Sequence, residues 1–236
     1  MRILLTNDDG IGADGLVRLA AAAKALGEVY VVAPDVQRSA ASHSVTLRHP
    51  VEAWEVDFPV ENVHAYATTG LPADCVRVGV LNIMRGKVDH VFTGINDGYN
   101  VATDLQYSAT AGAAFEASFQ KIHTIAFSED KATRHAVTDR YLFEIMQNLL
   151  DKPLGYGQIW NVNFPSCELS DCKGVLYDRT VSRDEFYTDR YTETKLPNGR
   201  MSYMVDGRRI FSGTEGTDLH AVINNYVSVG IATNIS

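Results

Sequence analysis

Through residues 1–165, short apolar runs alternate with segments whose apolar residues recur at helical spacing. "RILLT", "VYVVAP", "VHAYATTG", "VDHVFTG", "HTIAFS" and "IWNVNFP" read as strands that are apolar on both faces. "GLVRLAAAAKAL", "PADCVRVGVLNIM", "SATAGAAFEASF" and "RYLFEIMQNLL" read as helices. Gly27 stops the first helix; Pro72 sits near the start of the second and Gly86 just beyond its end. A strand apolar on both faces must be covered on both, and parallel neighbours need helical crossovers. The pattern therefore predicts an α/β chain with a doubly wound, mostly parallel sheet.

After Pro165 the texture changes. Residues 174–212 are rich in Tyr, Thr, Arg and Asp, with turn signals at Asn198-Gly199 and Asp206-Gly207. Within them "RMSYMVDGRRIFS" alternates like a β-hairpin. An isolated hairpin is marginal in water, so this one is expected to pack on a second subunit or on its parent domain. "GTDLHAVINN" and "YVSVGIAT" then return to a helix and a strand. The expected organisation is a core over 1–165 and a C-terminal extension over 166–236.

The formal net charge of −8 excludes a nucleic-acid polymer as partner, because such binding is driven by clustered cations and the sequence has no basic run. The cysteines, Cys75, Cys167 and Cys172, show no ladder of spacings and read as reduced thiols. No signal peptide and no stretch of 18 apolar residues is visible, so the expectation is a cytoplasmic protein without a membrane partner.

In an open parallel sheet, ligands bind beyond the carboxyl ends of the strands. The first strand is followed by Asn7, Asp8 and Asp9, and the second by Asp35, Ser39, Ser42, His43 and Ser44. "INDGYN" places Asn96, Asp97 and Asn100 after "VDHVFTG", and Ser108 and Thr110 open the Ala-rich helix. Each alone has an ordinary structural role. Paired aspartates cap turns, Ser39 and Asn96 suit turns, Ser108 or Thr110 suits a helix N-cap, and His43 suits a surface. Their convergence on one rim is the stronger signal.

"GIGADG" also spells the dinucleotide fingerprint G-x-G-x-x-G, with Asp35 placed for a ribose hydroxyl. Asp8 and Asp9 oppose that reading. At about 5 Å and an effective dielectric of about 20, each carboxylate would repel a phosphate by about 3 kcal/mol. A divalent cation reverses the sign, and Asp, Asn and Ser oxygens suit a hard ion such as Mg²⁺ or Mn²⁺. The residues alone leave a metal phosphohydrolase and a non-catalytic nucleotide or dinucleotide module level. An aspartyl-phosphate phosphatase is a third reading, against which stands the missing D-x-D spacing.

"MRILLTNDDGIGADG", "VVAPDVQRSAASHSVTL", "YATTGLPADCV", "GINDGYN" with "YSATAGAA", and "NVNFP" occur in the order seen in the SurE family of survival-protein nucleotidases. The chain resembles that family over roughly residues 1–165. The resemblance implies a Rossmann-like core with an extension that builds homodimers or homotetramers. It implies a divalent-metal-dependent phosphatase acting on nucleoside 5′-monophosphates, often 3′-monophosphates and sometimes short polyphosphate, through a metal-activated water. One cation per subunit, Mg²⁺ or Mn²⁺, would be held by Asp8, Asp9, Ser39 and Asn96, with Asp8 or Asp9 also catalytic. Ser108 and Thr110 would hold the substrate phosphate, and Thr68 to Pro72 would shape the nucleoside side. Ala102, Ala109 and Ala111 depart from the family's usual Gly, Gly and Val, and "YVSVGIAT" lacks its usual Thr-Pro.

Overall fold

In a computed structural model that describes residues 1–130 and 135–234, the alternation resolves into one nine-stranded sheet flanked by helices. The elements run β1 (Arg2–Thr6), α1 (Asp14–Ala23), β2 (Glu28–Pro34), β3 (Ala53–Glu55), β4 (Val63–Thr68), α2 (Pro72–Val78), β5 (His90–Asp97) and α3 (Ala109–Phe119). They continue with β6 (His123–Glu129), α4 (Ala136–Leu149), β7 (Gln158–Phe164), β8 (Val175–Leu176), β9 (Tyr191–Lys195), β10 (Met201–Val205), α5 (Asp218–Ile223) and β11 (Val227–Thr233). The strand order is β3-β4-β2-β1-β5-β6-β7-β11-β8. The β4-β2-β1-β5-β6-β7 block is wholly parallel.

Both faces are buried, and the two-residue strand period sorts the side chains. Ile3 and Leu5 of β1 face Leu16 and Leu19 of α1 and Ile145 and Leu149 of α4. Leu4, between them, faces Cys75 and Val76 of α2 and Ala113 and Ala117 of α3. Fully burying a leucine contributes about 2 kcal/mol, which is why these strands carry no polar alternation. The three cysteines are free thiols, and burial pushes that of Cys75 up to about 12, leaving it unreactive. Among the described residues no helix is long and apolar enough to cross a membrane.

Two features differ from the sequence expectation. The strand β3, Ala53-Trp54-Glu55, is exposed at all three residues and adds antiparallel to β4 at one edge. No apolar pattern announces such a strand. The expected hairpin over 200–212 is one arm of a longer ribbon. Here β10 pairs antiparallel with β9, and the chain reverses at Asn198-Gly199, where Gly199 has φ +80°. Asp206-Gly207 is not a reversal: Asp206 N–H donates to Arg190 O at 2.8 Å and Thr188 N–H to Arg208 O at 3.0 Å, continuing the ladder. The C-terminal segment also joins the main sheet, since β11 pairs antiparallel with β7 and parallel with β8.

Candidate active site

β1, β2 and β5 end at one rim, and the first turn of α3 faces it. Asn7 shapes the turn after β1: its Nδ2 donates to Gly10 O at 2.9 Å, and its Oδ1 accepts from Gly10 N–H at 3.2 Å. Gly10 has φ +103°, a left-handed conformation that an L side chain resists. The backbone therefore leaves the strand immediately after Thr6, and Asp8 and Asp9 need not point to opposite faces. On β5, Gly94 has φ +121° and the register with β6 shifts between Thr93 and Asn96. That irregularity carries Asn96 to the same edge.

Asp8 is 3% exposed, and Thr110, fully buried in α3, donates its hydroxyl to Asp8 Oδ1 in a short hydrogen bond. The same hydroxyl lies 3.4 Å from Asn96 Oδ1. Asn96 Nδ2 is occupied by Gly98 O at 2.7 Å, so its carbonyl oxygen is the atom turned towards Thr110. Asp9 Oδ2 accepts from Asp97 N–H at 3.1 Å, and Asp9 Oδ1 accepts from Gln37 Nε2 at 3.2 Å. Gln37 Nε2 also donates to Ser39 Oγ at 3.0 Å. The Thr110 hydroxyl thus bonds Asp8 with Asn96 Oδ1 close beside it, and Gln37 bridges Asp9 and Ser39. Asp9 lies close enough for its charge to act on Asp8.

The electrostatics favour a cation. Burial pushes the Asp8 carboxyl up to about 6; the Thr110 hydrogen bond pulls against that, and the neighbouring Asp9 adds to it. Among the described residues no Lys, Arg or His forms an ion pair with Asp8. A buried carboxylate with a second carboxylate beside it is costly, and a cation at this point would offset the cost. Among the described residues no three His, Cys, Asp or Glu side chains cluster to hold a metal. The candidate donor set is instead two carboxylates, an amide oxygen and a hydroxyl, which fits a hard cation.

The other rim residues divide. Ser108 is the N-cap of α3, its Oγ accepting from Ala111 N–H at 3.0 Å. The Thr110 hydroxyl, expected on a substrate phosphate, is instead engaged by Asp8. Asn100 turns inward, its Nδ2 donating to Ser128 Oγ at 2.8 Å. His43 runs along α3, 3.0 Å from Glu116 and stacked on Phe119, away from the aspartates. Asp35 is exposed and lies 3.5 Å from Arg38 Nη2. Ala109 and Ala111 are fully buried in the first turn of α3. Ala102 adopts φ +53°, which accounts for the glycine usual at this position.

Sequence reasoning missed two residues. Gln37 was overlooked although it lies two positions before Ser39 in "VQRS". Arg38 gives its backbone N–H to Asp8 O at 2.7 Å, and its buried Nε has no hydrogen-bond partner among the described residues. A cavity of about 350 Å³ opens beside the aspartates, walled by Asp9, Asp14, Gln37, Asp97, Glu129 and His135 among others.

Comparison with known proteins supplies the remaining observation. The family model described as "Survival protein SurE" matches residues 3–186. The 5′-nucleotidase SurE of Clostridium botulinum (strain ATCC 19397 / Type A) is 34% identical over 233 residues, covering 97% of this chain and 91% of that protein. The 5′-nucleotidase SurE of Thermoanaerobacter sp. (strain X514) is 36% identical over 234 residues, covering 97% and 90%. The crystal structure of the SurE protein from Aquifex aeolicus is similar with a TM-score of 0.84 at 32% identity, covering 100% of this chain and 95% of that one.

Proposed function

The chain belongs to the survival protein SurE family, and from that membership we propose a 5′-nucleotidase that hydrolyses nucleoside 5′-monophosphates with one divalent cation held by Asp8, Asp9, Ser39 and Asn96. Mg²⁺ or Mn²⁺ is the expected ion. The observation that carries this reading is the pair of links described above, which gather four oxygen-bearing side chains from three strand ends. When bound, such a cation supplies Lewis-acid polarisation of phosphoryl oxygens and acidification of a water.

The chain's own groups do the rest. Asp8 and Asp9 neutralise the cation, while Asn96 and Ser39 add oxygens without adding repulsion towards an anionic substrate. Thr110 fixes the Asp8 carboxylate, so less ordering remains when the ligands close. Ser108 caps α3 through Ala111 N–H, and the dipole of the helix behind it favours negative charge at this rim. Thr68 Oγ1 accepts from Gly70 N–H at 3.1 Å, holding the loop to Pro72 as the wall of the nucleoside side.

Phosphate release from a panel of 5′- and 3′-nucleoside monophosphates and short polyphosphate tests the reading. With Mg²⁺ or Mn²⁺ we expect turnover of 5′-monophosphates, abolished by EDTA and restored by the ion. Undiminished hydrolysis in EDTA would rule the cation out, and NAD binding without turnover would favour the non-catalytic module.

The ribbon of β9 and β10 exposes Tyr191, Tyr203, Met204 and Val205, and Phe211 beyond it is 76% exposed. Apolar surface of that kind on an outlying ribbon supports association into a homodimer or homotetramer. Sedimentation of the full chain should show such a species, and Met204→Glu should shift it towards monomer. A monomer at all concentrations removes this part of the proposal.

A further inference from the structure

We infer that Gln37 is a positioning residue that presets Asp9 and Ser39 for the cation, an inference that rests on the divalent-cation reading above. Asp9 arrives on the turn after β1 and Ser39 on the loop after β2. The Gln37 side chain ties them together, its Nε2 lying 3.2 Å from Asp9 Oδ1 and 3.0 Å from Ser39 Oγ. A primary amide nitrogen carries two protons, so both bonds form at once.

The consequence is largest at Ser39. Gln37 and Ser39 are both exposed, so hydrogen bonds rather than burial hold their side chains. An unconstrained serine hydroxyl rotates and donates its proton to the nearest carboxylate, which sets it against a cation. Accepting the Gln37 N–H consumes one lone pair, leaves the other for a ligand bond and turns the hydroxyl proton elsewhere. At Asp9 the effect is rotational. Asp97 N–H holds Oδ2 at 3.1 Å while Gln37 holds Oδ1, so the carboxylate plane is set from both ends. Ligands held by outer hydrogen bonds lose less freedom on binding, and removing such a partner typically weakens metal affinity by about 10–100-fold.

A purely structural amide would contribute to folding and leave affinity untouched, so the test reads metal binding without turnover. Free Mn²⁺ is followed by electron paramagnetic resonance during titration of the full chain. The variants are Gln37→Met, which keeps length but has no donor, and Gln37→Asn, too short to span both acceptors. Each is expected to lower Mn²⁺ affinity by about tenfold or more. Thermal unfolding in EDTA should stay at the wild-type midpoint. In a Ser39→Ala background the loss from Gln37→Met should shrink, because part of what Gln37 positions is gone. Wild-type affinity in both variants, or a loss undiminished without Ser39, overturns the inference while leaving the metal centre intact. Absence of Mn²⁺ binding by the wild type overturns the metal centre itself, and Gln37's role falls with it.

Discussion

Replacing Asp8 by asparagine is expected to reduce metal-dependent AMP hydrolysis by about a thousandfold or more and leave the fold intact. Asparagine preserves the shape of the side chain but removes its charge. Two carboxylates and a dication make a locally neutral cluster; one carboxylate leaves it positive and binds the ion more weakly. A cation's charge stabilisation is worth several kcal/mol in the transition state, and about 4 kcal/mol corresponds to about a thousandfold in rate. Stability should move the other way or not at all. Asp8 is 3% exposed, its carboxyl is pushed up to about 6 chiefly by burial, and a neutral amide avoids that desolvation. The Thr110 hydroxyl can still donate to the asparagine carbonyl. Asp9→Asn should behave similarly, though Asp97 N–H and Gln37 would still hold its carbonyl oxygen or face its amide. Initial rates with saturating Mg²⁺ and Mn²⁺, paired with urea unfolding in EDTA, separate the two effects. Full activity in both asparagine variants would sink the nucleotidase site.

The second large effect concerns the glycines of "GIGADG". Gly15→Ala is expected to destabilise the protein by about 2–3 kcal/mol, whereas Gly12→Ala should fall within about 0.5 kcal/mol of wild type. A Cβ on Gly15 would stand 2.2 Å from Ile95 O, a backbone atom of β5 that cannot give way without disturbing the sheet. A Cβ on Gly12 meets nothing within 4 Å among the described residues. Overpacking of this kind typically costs about 1–3 kcal/mol, and alanine's better helix propensity at the start of α1 offsets only part of it. Chemical denaturation of the two variants checks the difference. Equal effects at both positions would mean that Gly15 is not held by close helix–strand packing. In a dinucleotide fingerprint the second glycine is the one that admits the pyrophosphate. Here the structural demands fall on the first and third glycines, Gly10 for its turn and Gly15 for its packing.

Much of this arrangement was legible in advance because hydrophobic periodicity is local. "RILLT" had to be buried on both faces, and Ile3, Leu4 and Leu5 are fully buried, divided between the two faces of the sheet. Strand-end residues had to lie on one rim once the strands were parallel, which is where Asp8, Ser39 and Asn96 are found. What stayed hidden lacks a periodic signal. The strand β3 is only three residues long and exposed throughout, and the ribbon's true reversal depended on which arm found a partner. Thr110 looked like a helix-start hydroxyl open to an anion, yet α3 is sunk so deeply that ten of its residues, Ala109 to Ser118, are buried. Gly112 permits that depth, since a Cβ there would stand 2.3 Å from Ser42 O.

The amino-acid order alone determined the doubly wound class, the boundaries of most core elements and the identity of the polar groups at the strand ends. These follow from short-range patterns of burial and turn formation, which operate over a few residues. Only the tertiary structure decided which polar groups meet: Thr110 with Asp8, Gln37 with Asp9 and Ser39, and β11 against β7. Hydrogen bonds form or fail over tenths of an ångström between atoms far apart in sequence. Packing of the whole sheet and its helices sets those distances, and no local spacing encodes them.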